Sequence, residues 1–402
     1  MTDIDTLFRN ARLADGRVTD LAVKGGRIVA IAAASGAIAA KETHDLARRL
    51  VLPGFVDGHI HLDKGFVGDV WKPHRPNTAG FDVRERVMFE KEALAKAKPI
   101  ETRAAAMIDL CVSLGTTHVR SHVDIDAETG LRNFEAVAAA REANRDKLSI
   151  QIVAFPQNGI VTSPGTRDLL DEAVKNGADV VGGLDPASFD GDINGHLDVI
   201  FAIADRHGVG IDIHLHDGDL LGIFEIEEIA RRTKALSLGG KVTISHAYAL
   251  GQVSRDVALR TAALLADAGV AILTNAPGAR AFPPVLLLRD AGVNVFGGND
   301  NIRDSWWPYG DGDLLERAMI IGYRSGFSTD ADLAFALEMV TANAARALGL
   351  ESYGIVEGAA ADFVVLDAEN VQEAVVARPK PRDVYKNGRL IAQGGAVVTA
   401  SP

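Results

Sequence analysis

The chain contains one cysteine, Cys111, in 402 residues, so no intrachain disulfide can form and its thiol content does not point to an oxidising compartment. It also lacks clustered Lys and Arg. Arg48-Arg49 and Arg231-Arg232 are too short to displace counterions from a polyanion, and the formal charge of -12 argues further against nucleic acid as a partner. No apolar run approaches the ~18 residues of a membrane span. The start, Met1-Thr2-Asp3-Ile4-Asp5, carries acids where a signal peptide needs a basic segment and an apolar core. The expectation is a cytoplasmic chain with no membrane partner. Repeats and low-complexity segments are absent as well, which excludes solenoids and fibres. What remains is an ordinary globular composition, 47% apolar and 24% charged, with enough length for one large domain and a smaller companion.

The two ends share a texture. Leu7–Leu13, Leu21–Lys24 and Arg27–Ile31 are short strand-like runs split by Gly25-Gly26, as in a small antiparallel sheet. Ala361–Leu366 and Asp383–Ile391 read the same way, the latter interrupted by the hairpin signal Asn387-Gly388. Both termini are therefore expected to pair into one small β-sandwich, built from residues 1–52 and 352–402. Between them, over 53–351, Val- and Ile-rich runs alternate with alanine-rich helical stretches at βα spacing. Candidate strands lie at 51–58, 117–123, 150–156, 179–183, 211–216, 241–246, 270–275 and 293–298. Eight such runs predict a (β/α)8 TIM barrel.

Pro53-Gly54-Phe55-Val56-Asp57-Gly58-His59-Ile60-His61 carries two histidines one residue apart. Residues i and i+2 of a strand share a face, so His59 and His61 can grip one ion. A lone His-x-His can simply line a polar strand end. Here, however, later apolar runs also end in candidate ligands: His214, His246 and Asp300. Potential ligands at the carboxyl ends of several strands are what a barrel active site requires. Neutral imidazoles and a carboxylate with one position left open lower the pKa of a metal's water to about 7. His59, His61, His214 and Asp300 are the chosen ligands for one divalent ion, Zn2+ or Fe2+. Asp300 can also take a proton during attack, and His246 either binds the metal or polarises the group attacked. Asp217, three residues past His214, is placed to shuttle a proton to a leaving amine. Lys64, Gln157 and His216 follow other candidate ligands or strand ends, and Trp306 and Trp307 offer flat surfaces for a planar ring. His122 and Asp124 are read as supports for the ligands.

The spaced segments Pro53–Asp63, Arg120–Asp124, Gln151–Gln157, Ser245-His246 and Asp300 resemble the amidohydrolase superfamily, in particular its cytosine deaminase branch. The likeness runs from about residue 5 to residue 395. It implies the barrel-plus-sandwich architecture, with Gln157 on the edge of a heterocycle, His246 assisting attack and Trp306 lining the pocket. One position departs: cytosine deaminases carry Glu three residues after the third metal histidine, where this chain has Asp217, roughly 1.5 Å shorter in reach. Asp63-Lys64, Val181–Ala187, His214–Asp217 and Asp300–Asp304 look nearer to the N-isopropylammelide aminohydrolase group. In that group Lys64, His216, Asp217 and His246 would surround the substrate. The resemblance implies a hydrolytic deaminase that releases ammonia or an amine from a planar heterocycle, an aminopyrimidine or a hydroxylated amino-triazine. The alternative is ring-opening hydrolysis of a cyclic amide. Partners beyond the small-molecule substrate are limited to further copies of the chain in a homo-oligomer.

Overall fold

The computed structural model describes residues 4–33, 38–80 and 82–398; Met1 to Asp3 of the acidic start lie outside them. Eight parallel strands run in sequence order around the middle of the chain: β1 Phe55–Ile60, β2 Thr116–Asp124, β3 Ser149–Phe155, β4 Val180–Leu184, β5 Gly210–His214, β6 Val242–Ser245, β7 Val270–Thr274 and β8 Val295–Gly297. Each is buried along most or all of its length, which explains their near-continuous apolar sequences. Helices such as Ile100–Ser113, Arg132–Ala143 and Arg255–Ala268 connect consecutive strands and pack against the ring. The expected barrel is present.

The ring closes where β8 returns to β1. The closure is a single parallel bridge, Ile60 to Asp300, with the Asp300 N–H donating to the His59 carbonyl at 2.7 Å. Two glycines permit so close an approach. A Cβ on Gly58 would sit 2.4 Å from the Phe296 ring, and one on Gly298 would sit 2.5 Å from the His59 nitrogen. Asp57 adds a second tie across the seam. Its carboxylate accepts the backbone N–H of Asn299 at 2.9 Å and its side-chain amide at 2.7 Å.

The terminal segments form a second sheet of nine strands. Leu50–Pro53 pairs antiparallel with Phe363–Leu366, which joins the two ends of the chain. Phe8, Leu21, Val51, Phe363 and Tyr385 fill its core. The Asn387-Gly388 turn forms as expected: both residues have positive φ, 49° and 73°, and Lys386 faces Arg389 across the hairpin. Two readings need correcting. The run 51–58 is two strands in two different sheets, split at Gly54, where the backbone passes from Asp362 of the terminal sheet to Gly115 beside β2 and where a Cβ would come within 2.4 Å of Thr117. The terminal sheet is mixed rather than antiparallel, since Ile4–Arg12 pairs in parallel with Ala40–Asp45. Arg382 fastens this part of the chain to the barrel: its guanidinium donates to both oxygens of Asp313 at 2.7 and 2.9 Å, with both side chains fully buried.

Candidate metal centre

His59, His61, His214, His246 and Asp300 converge at the carboxyl rim of the barrel, and all are buried. His59, His61 and His214 each present a ring nitrogen within 4.8 Å of the others, and His59, His246 and Asp300 form a second such group. Asp300 Oδ1 lies 3.6 Å from His59 Nε2 and 3.4 Å from His61 Nε2, so the carboxylate belongs to the first constellation as well. His246 and Asp300 both have left-handed backbones, φ 74° and 59°, just past their strands. Strain of this kind persists where surrounding contacts over-determine it, and here it turns both side chains inward.

The donor set suits a divalent ion. His59 Nε2, His61 Nδ1 and both nitrogens of His214 are buried with no hydrogen-bond partner, and such atoms are costly unless something else binds them. Burial, reinforced by the neighbouring imidazoles, holds His59 and His214 well below the ordinary histidine range and brings His246 down to about 3. The rings are therefore neutral, the state in which imidazole ligates metal.

Beneath the ligands lies a layer that fixes them, built from the period-two geometry of the strands. Ser245 donates its hydroxyl to Asp212 Oδ1 at 2.7 Å, and Asp212 Oδ2 pairs with Arg120 Nη1 at 2.9 Å. A carboxylate held by a guanidinium only accepts, so the one Ser245 proton points to Asp212. The 3.0 Å contact between His59 Nδ1 and Ser245 Oγ is then an N–H donated by the ring, which leaves His59 Nε2 as a bare lone pair. Asn275 donates to Asp300 Oδ2 at 2.7 Å and fixes the carboxylate in the same way. Ser245, Asp212, Arg120 and Asn275 were not singled out in the sequence as ligand supports, because a buried polar group shows its partner only in three dimensions. His122 stacks on His59, with ring centroids 3.9 Å apart. Asp124 pairs with Lys64 at 2.8 Å.

Two connected cavities adjoin the cluster. The inner one, about 30 Å³, is lined by His61, Lys64, Gln157, His214, His246 and Asp300, among others. The outer one, about 420 Å³, shares His216, Asp300, Asn301 and Trp306 with it and opens past Trp307 and Tyr309. Lys64 is 2% exposed and donates to Gln157 Oε1; burial lowers its pKa, but Asp124, Glu90 and Asp63 outweigh that and raise it. His216 is held through Nδ1 by Asp185 Oδ2 at 2.8 Å, stacks on His246, and so turns Nε2 toward the cavity. The Trp306 indole N–H donates to Glu90. Asp217 sits behind this wall and lines neither cavity. Its Oδ2 accepts the Ser188 N–H at 3.1 Å, and the buried Glu225 carboxyl lies beside it.

A closed (β/α)8 barrel with buried neutral imidazoles and a carboxylate on its carboxyl rim defines an enzyme suited to metal-dependent C–N bond hydrolysis. A model of the amidohydrolase family matches residues 42–392, and the chain belongs to that family. It is 34% identical to the N-isopropylammelide isopropyl amidohydrolase of Pseudomonas sp. (strain ADP), over 98% of this chain and 99% of that protein. Among solved structures, the N-isopropylammelide isopropylaminohydrolase of Burkholderia multivorans superposes with a TM-score of 0.93 at 42% identity, covering 98% of this chain and 99% of the other. The 5-methylcytosine deaminase of Klebsiella pneumoniae superposes with a TM-score of 0.87 at 30% identity, covering 98% of this chain and all of the other. Among the described residues, no helix is long and apolar enough to cross a membrane.

Proposed function

We propose that the protein is a hydrolytic deaminase that removes ammonia or an alkylamine from a planar nitrogen heterocycle, an aminopyrimidine or a hydroxylated amino-triazine. The observation that carries this reading is the placement of neutral, partnerless imidazoles and Asp300 beside groups able to read an amide edge, Lys64 and Gln157. The names of the relatives, an aminohydrolase of N-isopropylammelide and a deaminase of 5-methylcytosine, support the same substrate class. His59, His61, His214 and Asp300 are the residues that would hold the ion, Zn2+ or Fe2+. When bound, it lowers the pKa of a water molecule to about 7 and so supplies a nucleophile at neutral pH.

The chain's own groups handle the protons. Addition of water to the ring carbon forms one C–O bond, and collapse breaks the C–N bond to the amine. Of the two protons of water, one goes to a ring nitrogen and one to the departing amine. Asp300, its Oδ2 fixed by Asn275, takes the first proton and passes it on. His246, buried and neutral, orients the attacked group. Lys64, Gln157 and His216 hold the ring edge, and Trp306 packs against its face. Asp217, which accepts the Ser188 N–H and lies beside Glu225, serves as the proton shuttle for the leaving amine.

The test is a screen of metal-reconstituted protein against amino-substituted pyrimidines and triazines, reading ammonia or amine release together with product mass. Release with an intact ring is the expected result. A ring-opened product would favour the cyclic amide hydrolase instead, and protein that neither zinc nor iron can load would overturn both.

A further inference from the structure

Between β1 and the helix Ile100–Ser113 the chain forms an extra helix, Val83–Leu94, begun by the Asp82 side chain, which accepts the Glu85 N–H. This helix lies across the carboxyl rim of the barrel. Val83 packs with Phe155, Leu184 and Phe189, Arg86 donates to the Ser305 carbonyl at 3.3 Å, and Lys91 pairs with Glu128. Of its twelve residues only Val87 and Glu90 are buried. A helix with so little apolar cover gains little from packing, and a carboxyl in one of its two buried positions costs further stability.

Both oxygens of that carboxyl face pocket residues. Glu90 Oε1 lies 3.6 Å from Lys64 Nζ, and Oε2 accepts the Trp306 indole N–H. Burial raises the Glu90 carboxyl above its ordinary range; Lys64 and the Trp306 N–H pull the other way, and Asp304 and Asp63 add to the rise. A buried pair of this kind is a poor source of stability. Lys64 has nearer partners in Asp124, at 2.8 Å, and Gln157, so its ammonium is placed without Glu90. Trp306 differs. Asp304 accepts its backbone N–H at 2.8 Å, but the indole turns about two side-chain bonds beyond that point and has one N–H to fix it by. The residue stands in an irregular segment after β8 and lines both the inner and the outer cavity, with its ring centre 6.0 Å from Lys64 Nζ. Glu90 itself lines neither cavity.

We infer that Glu90 is a positioning residue: through the indole N–H it sets the Trp306 ring as the wall that the two cavities share. Its effect on turnover rests on the deaminase reading, in which Trp306 packs against the substrate ring. Its hold on the indole does not.

The test reads the ring before it reads turnover. Trp71, Trp306 and Trp307 are the chain's three tryptophans, so Trp71→Phe with Trp307→Phe leaves Trp306 as the one indole emitter. In that background Glu90→Leu should make the emission more readily quenched by acrylamide and shift it to longer wavelength. Glu90→Gln keeps an acceptor for the indole and should leave both close to the parent. In the otherwise unaltered zinc-loaded chain, with cytosine and N-isopropylammelide as substrates, Glu90→Leu should raise KM about tenfold, the scale of one lost buried hydrogen bond, with kcat changed less than about threefold. Adding Glu90→Leu to Trp306→Phe should raise KM no further than Trp306→Phe does alone. Unchanged quenching and emission in the Leu variant overturn the assignment. Equal changes in the Gln and Leu variants also overturn it, since they place the effect on the charge beside Lys64, and so does a fall in kcat at constant KM, which puts Glu90 in the chemical step. A wild-type chain that hydrolyses neither compound, while the Leu variant frees the ring, leaves the assignment standing and counts against the deaminase reading.

Discussion

Ser245→Ala removes one hydroxyl that the fold uses twice. Ser245 is fully buried, donates to Asp212 at 2.7 Å and accepts from His59 Nδ1 at 3.0 Å. Without it, the two remaining groups stand two hydrogen bonds apart and cannot meet directly, so His59 loses the contact that fixes its tautomer and ring orientation. Removing an outer partner of a metal-ligating histidine typically costs ~10–100-fold in metal affinity. This corresponds to about 1.4–2.8 kcal/mol at 1.4 kcal/mol per tenfold. The metal-free protein should lose about 1–3 kcal/mol, the cost of leaving a buried polar group unsatisfied, and less than an Asp212 variant would, because Asp212 keeps Arg120. Zinc affinity is read by competition with a chromophoric chelator, and apo-protein stability by urea unfolding. A folded Ser245→Ala protein whose zinc affinity stays within about twofold of wild type would refute both the tautomer assignment and the supporting role of this serine.

Three further outcomes follow from the same geometry. Asp300→Asn should lower turnover by about 10²–10⁴ or more, the range for losing a proton-transfer group, with the circular dichroism spectrum unchanged because the backbone bond from residue 300 to His59 does not need the carboxylate; retained turnover would contradict the role given to Asp300. Arg382→Met should cost about 3 kcal/mol in urea unfolding, toward the low end for breaking a buried pair, since among the described residues the fully buried Asp313 carboxylate keeps only Lys380 at 3.5 Å and the Leu315 N–H. Glu225 is fully buried, and burial with Asp217 beside it pushes its carboxyl up to about 9. A raised folded pKa contributes stability that is complete below the unfolded value near 4.3 and is lost as pH rises toward 9. Glu225→Gln, which mimics the protonated acid, should therefore gain stability relative to wild type as pH rises from about 5 to 9, and a gap independent of pH in thermal melts would argue against that protonation state.

The barrel was readable because its strands are buried on both faces and so are written as unbroken Val and Ile runs. The buried cluster of candidate ligands was readable because its members stand where those runs stop. The Asn387-Gly388 hairpin announced itself through a turn that few other residue pairs can make. Three kinds of feature left no such trace. The parallel pairing of Ile4–Arg12 with Ala40–Asp45 depends on contacts that no local pattern encodes. The division of 51–58 between two sheets follows from distant partners, Asp362 for Gly54 and Gly115 for Phe55, that no local pattern names. Ser245, Asp212 and Asn275 matter through a neighbour 25 or more residues away, and Glu225 through Asp217 in the loop before its own helix. Asp217 shows what spacing leaves out: its distance from His214 along the chain suggested a proton shuttle, but not the Ser188 N–H that its carboxylate accepts or the Glu225 carboxyl beside it.

The meeting of β8 with β1 has a mechanical consequence. The seam is held by one peptide hydrogen bond, from Asp300 to His59, and by the Asp57 carboxylate on Asn299, and β8 itself is three residues long. An ion held by both side chains would span that seam like a clasp, and occupancy of the site and integrity of the cylinder would then be coupled equilibria. Chelation should therefore speed amide hydrogen exchange first around 57–61 and 295–300, leaving the opposite side of the ring, near β4 and β5, protected longest.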